Sequence, residues 1–133
     1  MTMPLDHIRV SQQARDQLIT LKRRTGIQHW NVLCRWALCR SLAEPATPPP
    51  IKLTLDSNVE MSWRTFSGEL GDVLWALLQM RCHNDGLPLD EETLANQFRL
   101  HLHRGIGYLV GDTRVTDVAG FASLGLEAGS PAA

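Results

Sequence analysis

The chain has 133 residues, 44% of them hydrophobic, with 13 basic and 14 acidic side chains and three cysteines, for a formal net charge of −1. A chain this long suits one domain that buries roughly two thirds of the surface it exposes when unfolded, so it needs no covalent or metal staple. No apolar run approaches the roughly 20 residues that span a bilayer, the odd cysteine count has no C-x-x-C spacing, and no signal peptide opens the chain; a membrane helix and a disulfide framework are excluded and a cytoplasmic protein is expected.

Met1 to Asp6 reads as a loose lead-in, and Ile8-Arg9-Val10 can sit extended. Ser11 offers an oxygen to the free amides at a helix start, and a helix is predicted from Gln12 to Arg24, with Ala14, Leu18 and Leu21 on one apolar stripe. Lys22, Arg23 and Arg24 complement the negative end of that helix, and Gly26 suits the left-handed residue after it. Trp30, Leu33, Cys34, Ala37, Leu38 and Ser41 then repeat at the spacing of a second, more deeply buried helix. The pair makes a helix-turn-helix. The order strand, helix, Thr-Gly turn, helix also resembles the ribbon-helix-helix DNA-binding dimers, which would place Arg9 in a groove.

Glu44 to Pro50 stops the second helix and forms a stiff connector. Alternation over 51–55 and again over 59–63, around Asp56-Ser57-Asn58, predicts a small β-hairpin. Ser67 can cap a third helix whose apolar side holds Leu70, Val73, Leu74, Leu77, Leu78, Arg81 and Cys82. Asp90, Glu91 and Glu92 start a fourth, with Leu94, Ala95, Phe98 and Leu102 inward; at Gly105-Ile106-Gly107 it either ends or passes close to another backbone. Small residues dominate from 112 to 133, so a weakly ordered tail is expected, with at most a short turn near Phe121. The fold class is mainly α: about four helices and a small hairpin.

The near-neutral total hides a polarised chain. Residues 1–43 hold seven basic side chains, Arg9, Arg15, Lys22, Arg23, Arg24, Arg35 and Arg40, against Asp6 and Asp16, a net +5; the remainder, with six basic and twelve acidic, is −6. Clustered cations are what DNA phosphates need, since each neutralised phosphate releases counterions. The same cations at a helix end also serve as simple dipole complements, and the acidic remainder could dock basic partners. Four tryptophans against one tyrosine make an oligomer plausible, because such rings are common at subunit interfaces.

No metal and no cofactor is expected. Cys82, His83, His101 and His103 are potential ligands, but His101 and His103 stand roughly 200° apart around one helix. A sulfur relay through Cys34, Cys39 or Cys82 is disfavoured because Cys34 lies on the apolar stripe and Cys39 points roughly 140° away from it; Cys39, beside Arg40, is the least implausible of the three. The chain has no G-x-S-x-G, Walker loop or H-E-x-x-H, so no catalytic role is expected.

The blocks LKRRTGIQHWNVLCRWALCRSLAEP, PPPIK, DSNVEMSW, RCHNDG and QFRLHLHRGIGYL, in this order, resemble the DNA sulfur modification protein DndE family over about Leu5 to Gly111. The resemblance implies a single DndE-like helical domain over 5–111 with 112–133 as its tail. It also implies an accessory protein of DNA phosphorothioation that works beside the other Dnd modification proteins, binds duplex and preferentially nicked DNA, assembles as a homotetramer and has no established chemistry of its own. Lysines matter for DNA contact in that family; here the cations other than Lys22 and Lys52 are arginines, which replace lysine at a phosphate and add bidentate geometry. Arg9, Arg15, Lys22, Arg23 and Arg24 are the expected phosphate partners, with Arg35 and Arg40 next; a scaffold holding the other Dnd proteins together is the competing expectation.

Overall fold

A computed structural model describes residues 5–128; the expected lead-in over 1–4 and the last residues of the tail, 129–133, lie outside the described residues. The protein is mainly helical with a two-stranded antiparallel sheet. Strand β1 (His7–Arg9) leads into α1 (Gln12–Thr25) and α2 (Trp30–Leu42). Strand β2 (Glu60–Ser62) and the short α3 (Trp63–Ser67) precede α4 (Gly71–Asn84), α5 (Glu91–Gly111) and α6 (Val118–Ala128).

Local chemistry sets the helix ends as expected for α1. Ser11 Oγ accepts from the Ala14 amide at 3.1 Å, and Gly26, at φ 74°, donates its amide to the Lys22 carbonyl. Asp90 caps α5 in the same way, taking the Thr93 amide at 3.0 Å and the Thr93 hydroxyl at 2.7 Å. Helix α5 does not end at Gly105 but runs through it. A Cβ built there would stand 1.7 Å from the Ala37 carbonyl oxygen, so the glycine is where α2 and α5, the most extensively packed pair, come into backbone contact. Leu94, Ala95, Phe98 and Leu102 all point into the core, as predicted.

The expected hairpin partner is replaced. Among the described residues 51–55 form no strand and lie across the surface, whereas β2 pairs with the N-terminal strand, Ile8 opposite Met61 and Arg9 opposite Glu60. Long-range bonds favour that register: the Val10 amide donates to the Val59 carbonyl, the Ser57 hydroxyl to the Val10 carbonyl at 2.7 Å, and the Trp63 amide to the Asp6 carbonyl. Ile8 and Met61 are thereby buried, which the 51–55 strand would not have achieved for both.

The third helix also starts differently. Ser62, not Ser67, supplies the cap, accepting from the Thr65 amide at 3.0 Å, and a left-handed Gly68 and a 3-10 turn over Gly68–Leu70 separate α3 from α4. The break lets Trp63 and Phe66 pack on Trp75 and Phe98, with ring centroids 5.3–5.6 Å apart. It also rotates α4, so Leu74, Trp75, Leu78 and Cys82 face the core while Leu70, Val73 and Leu77 face out. In place of a short turn near Phe121, an eleven-residue α6 seats Phe121 in the core against Trp36, 4.5 Å between centroids, with Val115 and Leu124 also buried. The tryptophans expected at an interface therefore spend their rings largely within the protomer.

Candidate nucleic-acid interface

Of the seven cations singled out from the sequence, the structure brings some together and occupies others. Lys22, Arg23 and Arg24 form the last turn of α1. Lys22 holds its ammonium 4.0 Å from the centroid of Trp30, at the start of α2, so the charge is positioned by a ring face and none of its N–H donors is spent on a hydrogen bond to the described residues. Arg23 is exposed, without a hydrogen bond or ion pair to the described residues. Arg24 reaches across and donates to the Val110 carbonyl at 2.8 Å, near the C-terminal end of α5.

Arg40, on α2, lies over the Tyr108 ring at 4.7 Å, and Arg104 approaches the same ring at 5.6 Å. Arg104 and Tyr108 are one helical turn apart on α5, a spacing that the sequence displays but that an inventory of N-terminal cations misses. Arg24 on Val110 and Arg40 on Tyr108 thus place both groups against the last turns of α5.

The rest are engaged elsewhere. Arg9 donates to Glu60 Oε2 at 2.6 Å across the two strands, an exposed pair worth at most about 1 kcal/mol and easily opened. Arg15 stands 3.6 Å from Asp16. Arg35 donates to the Phe66 carbonyl at 3.1 Å.

Two arginines outside the sequence expectation, Arg81 and Arg104, close the C-terminal end of α2. Arg81 donates to the Leu42, Pro45 and Ala46 carbonyls while pairing with Asp85 at 2.9 Å. Arg104 donates to the Ser41 and Ala46 carbonyls and to Ser41 Oγ at 2.8 Å. That hydroxyl in turn lies 2.8 Å from His101 Nδ1, while His101 Nε2 is buried with no hydrogen-bond partner among the described residues. Burial, and then the Arg104 and Arg81 charges, push His101 down to about 4.

Helices α1 and α5 and the 48–53 strap enclose a cleft of about 390 Å³, lined in part by Gln13, Gln17, Ile51, His103 and Tyr108. His103 offers it no acid or base: Nε2 accepts from the Ser11 amide at 3.1 Å, so Nδ1 carries the proton and donates to the Arg99 carbonyl at 2.7 Å. Among the described residues no three His, Cys, Asp or Glu side chains gather as a metal-holding group. Burial drives the Cys34 thiol up to about 12 and raises Cys39 and Cys82 as well, which suppresses the thiolate a sulfur relay needs. No helix among the described residues is long and apolar enough to cross a membrane.

No curated protein matches the chain. Among solved structures it is similar to DndE from Escherichia coli B7A, described as involved in DNA phosphorothioation modification, at 27% identity and a TM-score of 0.68, over 82% of this chain and 99% of that one. It is also similar to a DndE G21/24K mutant involved in DNA phosphorothioation, at 26% identity and a TM-score of 0.63, over 80% of this chain and 98% of the other. Residues 7–117 match the family described as DNA sulphur modification protein DndE, and with the match spanning most of the chain, the protein belongs to the DndE family.

Proposed function

We propose that this protein is a non-catalytic accessory component of DNA phosphorothioation, working beside the other Dnd modification proteins and binding duplex DNA, nicked duplex in preference, through backbone phosphates as a homo-oligomer. The observation that carries the reading is the state of three cations: Lys22 on Trp30, Arg40 on Tyr108, and the exposed Arg23. Ring stacking orders a charge without consuming its N–H donors, so these groups meet a phosphate with little entropy left to lose. Arg9, Arg15, Arg24 and Arg35 are secondary contacts, reached by opening a weak pair or by the donors each leaves unspent.

Four copies, the assembly that the family resemblance implies, would multiply this small patch into a continuous positive surface by effective concentration. Preference for a nick then follows from flexibility, because a discontinuous duplex costs less to bend onto that surface than an intact one. Titration of intact, nicked and single-stranded DNA of one sequence tests this, with nicked duplex expected to bind tightest. Equal affinity for nicked and intact duplex overturns the preference. Absence of binding at low salt, together with capture of the purified Dnd partners, overturns the DNA-binding role in favour of a scaffold.

A further inference from the structure

The cleft between α1, α5 and the 48–53 strap is built like a site for a small organic molecule. Its volume of about 390 Å³ falls within the range of about 300–1,000 Å³ in which such ligands are held. The buried Ala14 and Leu100, and from the strap Pro49, Ile51 and Leu53, give it apolar walls. Polar groups converge on it as well. Gln13 and Gln17 stand one helical turn apart on α1 and Tyr108 faces them from α5; neither carboxamide nor the Tyr108 hydroxyl makes a hydrogen bond to the described residues.

The wall is bare at Gly107. A Cβ there meets nothing within 4 Å, whereas the neighbouring Gly105 abuts the α2 backbone. Glycine inside a helix is less stable than alanine, and at Gly107 no close approach requires it; what its missing side chain preserves is the space of the cleft.

Charge restricts what can fill that space. No acidic side chain lines the cleft, but Arg104 does, and Arg40 lies with it against the Tyr108 ring. Arg40 gives no hydrogen bond to the described residues, and Arg104 keeps N–H donors beyond those that reach Ser41 and Ala46. That end suits an anion. A fatty acid would leave the two carboxamides unpaired, and the ammonium of an amino acid would find no carboxylate. A nucleotide answers every feature, with a flat ring for the apolar walls, donors and acceptors around its edge, and a phosphate for the guanidinium groups.

We propose that this cleft seats one nucleotide, its base edge on Gln13, Gln17 and the Tyr108 hydroxyl and its phosphate on Arg104 and Arg40. The nucleotide is either free or the end of a DNA strand. The strand-end source rests on the DNA binding of the proposed function, since at a nick the terminal base leaves the stack at lower cost than a base inside a continuous strand.

The test places 2-aminopurine, which brightens on leaving the base stack, at either strand end of a nicked duplex carrying a distant anisotropy label, and titrates dAMP separately by calorimetry. Gly107→Leu fills the cleft, and Gln13→Ala with Gln17→Ala removes its carboxamides from the surface of α1; both variants are expected to keep the helical circular dichroism of the wild type. A rise in fluorescence on the wild type that both variants abolish assigns the cleft to a strand end. Saturable dAMP binding that both weaken by about tenfold or more, without that rise, assigns it to a free nucleotide. Nicked duplex bound with neither signal, or with a signal that survives both variants, overturns the cleft and leaves the DNA-binding reading intact. Failure of the anisotropy label to report any duplex binding overturns that reading, while the dAMP titration still decides the cleft.

Discussion

Replacing Lys22, Arg23 and Arg40 together by glutamine isolates the electrostatic part of the proposed DNA contact. Among the described residues none of the three donates to a carbonyl or carboxylate, so their loss orphans no acceptor there and forfeits two half-buried cation–ring contacts of about 0.5–2 kcal/mol each. If each touches one phosphate, the slope of log K against log salt shrinks by about 0.9 per contact, or about 2.7 per protomer. Between about 50 and 200 mM salt, that difference makes the wild type lose roughly 40-fold more affinity than the variant. Fluorescence anisotropy of a labelled nicked duplex over a salt series reads the slope directly. Arg35→Gln is the control, because its guanidinium serves the Phe66 carbonyl; it should lower the melting temperature more than the slope. Equal slopes in wild type and triple variant would refute the assignment of these three side chains.

Gly105→Ala should destabilise despite alanine's better helix propensity, because the new methyl meets Ala37 backbone at 1.7 Å; a cost of about 3 kcal/mol or more is expected, seen as a melting temperature lowered by roughly 10 °C or as insoluble protein. His101 titrates at about 4 when folded, below its ordinary value, so the unfolded chain takes up the proton first and stability present above pH ~6.5 is lost as pH falls toward 4, by about 3 kcal/mol in all. His103, also lowered by burial, acts in the same direction. Asp112, held down to about 2 by its bond to Arg114, loses its contribution only below the ordinary carboxylate range; urea midpoints across pH 7.5 to 4 should therefore flatten in His101→Gln and not in Asp112→Asn. Native-state thiol labelling should reach Cys39 first and leave Cys34 unreacted, and Cys39→Ser should leave DNA affinity unchanged.

Much of the architecture was legible because its determinants are local. Ser11, Gly26 and Asp90 decide helix ends by bonds to residues three or four away, and those signals survive any tertiary context. The misread segments are those decided by distant partners. Residues 51–55 alternate as well as any strand, yet β1, some fifty residues earlier, takes the place beside β2 because Ile8 then covers the same core as Met61. On α4 the apolar stripe is wider than the buried face, and which half goes inward was decided by the ring cluster around Trp63 rather than by period. In α6 the small residues suggest a tail, whereas Phe121, seated on Trp36, and the buried Val115 and Leu124 anchor the segment to the core.

The candidate site shows why counting charge along a chain overstates it. Arg24, Arg35, Arg81 and Arg104 come from four different segments, and each spends donors on carbonyls at or near the C-terminal end of a helix: Arg24 at α5, Arg35 at α3, and Arg81 and Arg104 at α2. Carbonyls at a helix C-terminus lack the next turn's amides, and a cation there complements the helix dipole and adds a donor, even where, as at Ser41, the Glu44 amide already reaches the oxygen. Part of the N-terminal excess of +5 is therefore internal structure. What separates a cation available to a polyanion from one closing a helix is not its neighbours in sequence but what holds it. A ring face, as for Lys22 and Arg40, fixes position and leaves the donors outward, whereas a carbonyl takes the donors themselves. The residues that make the difference, Trp30 and Tyr108, are uncharged, which is why reading the basic residues alone passed over them.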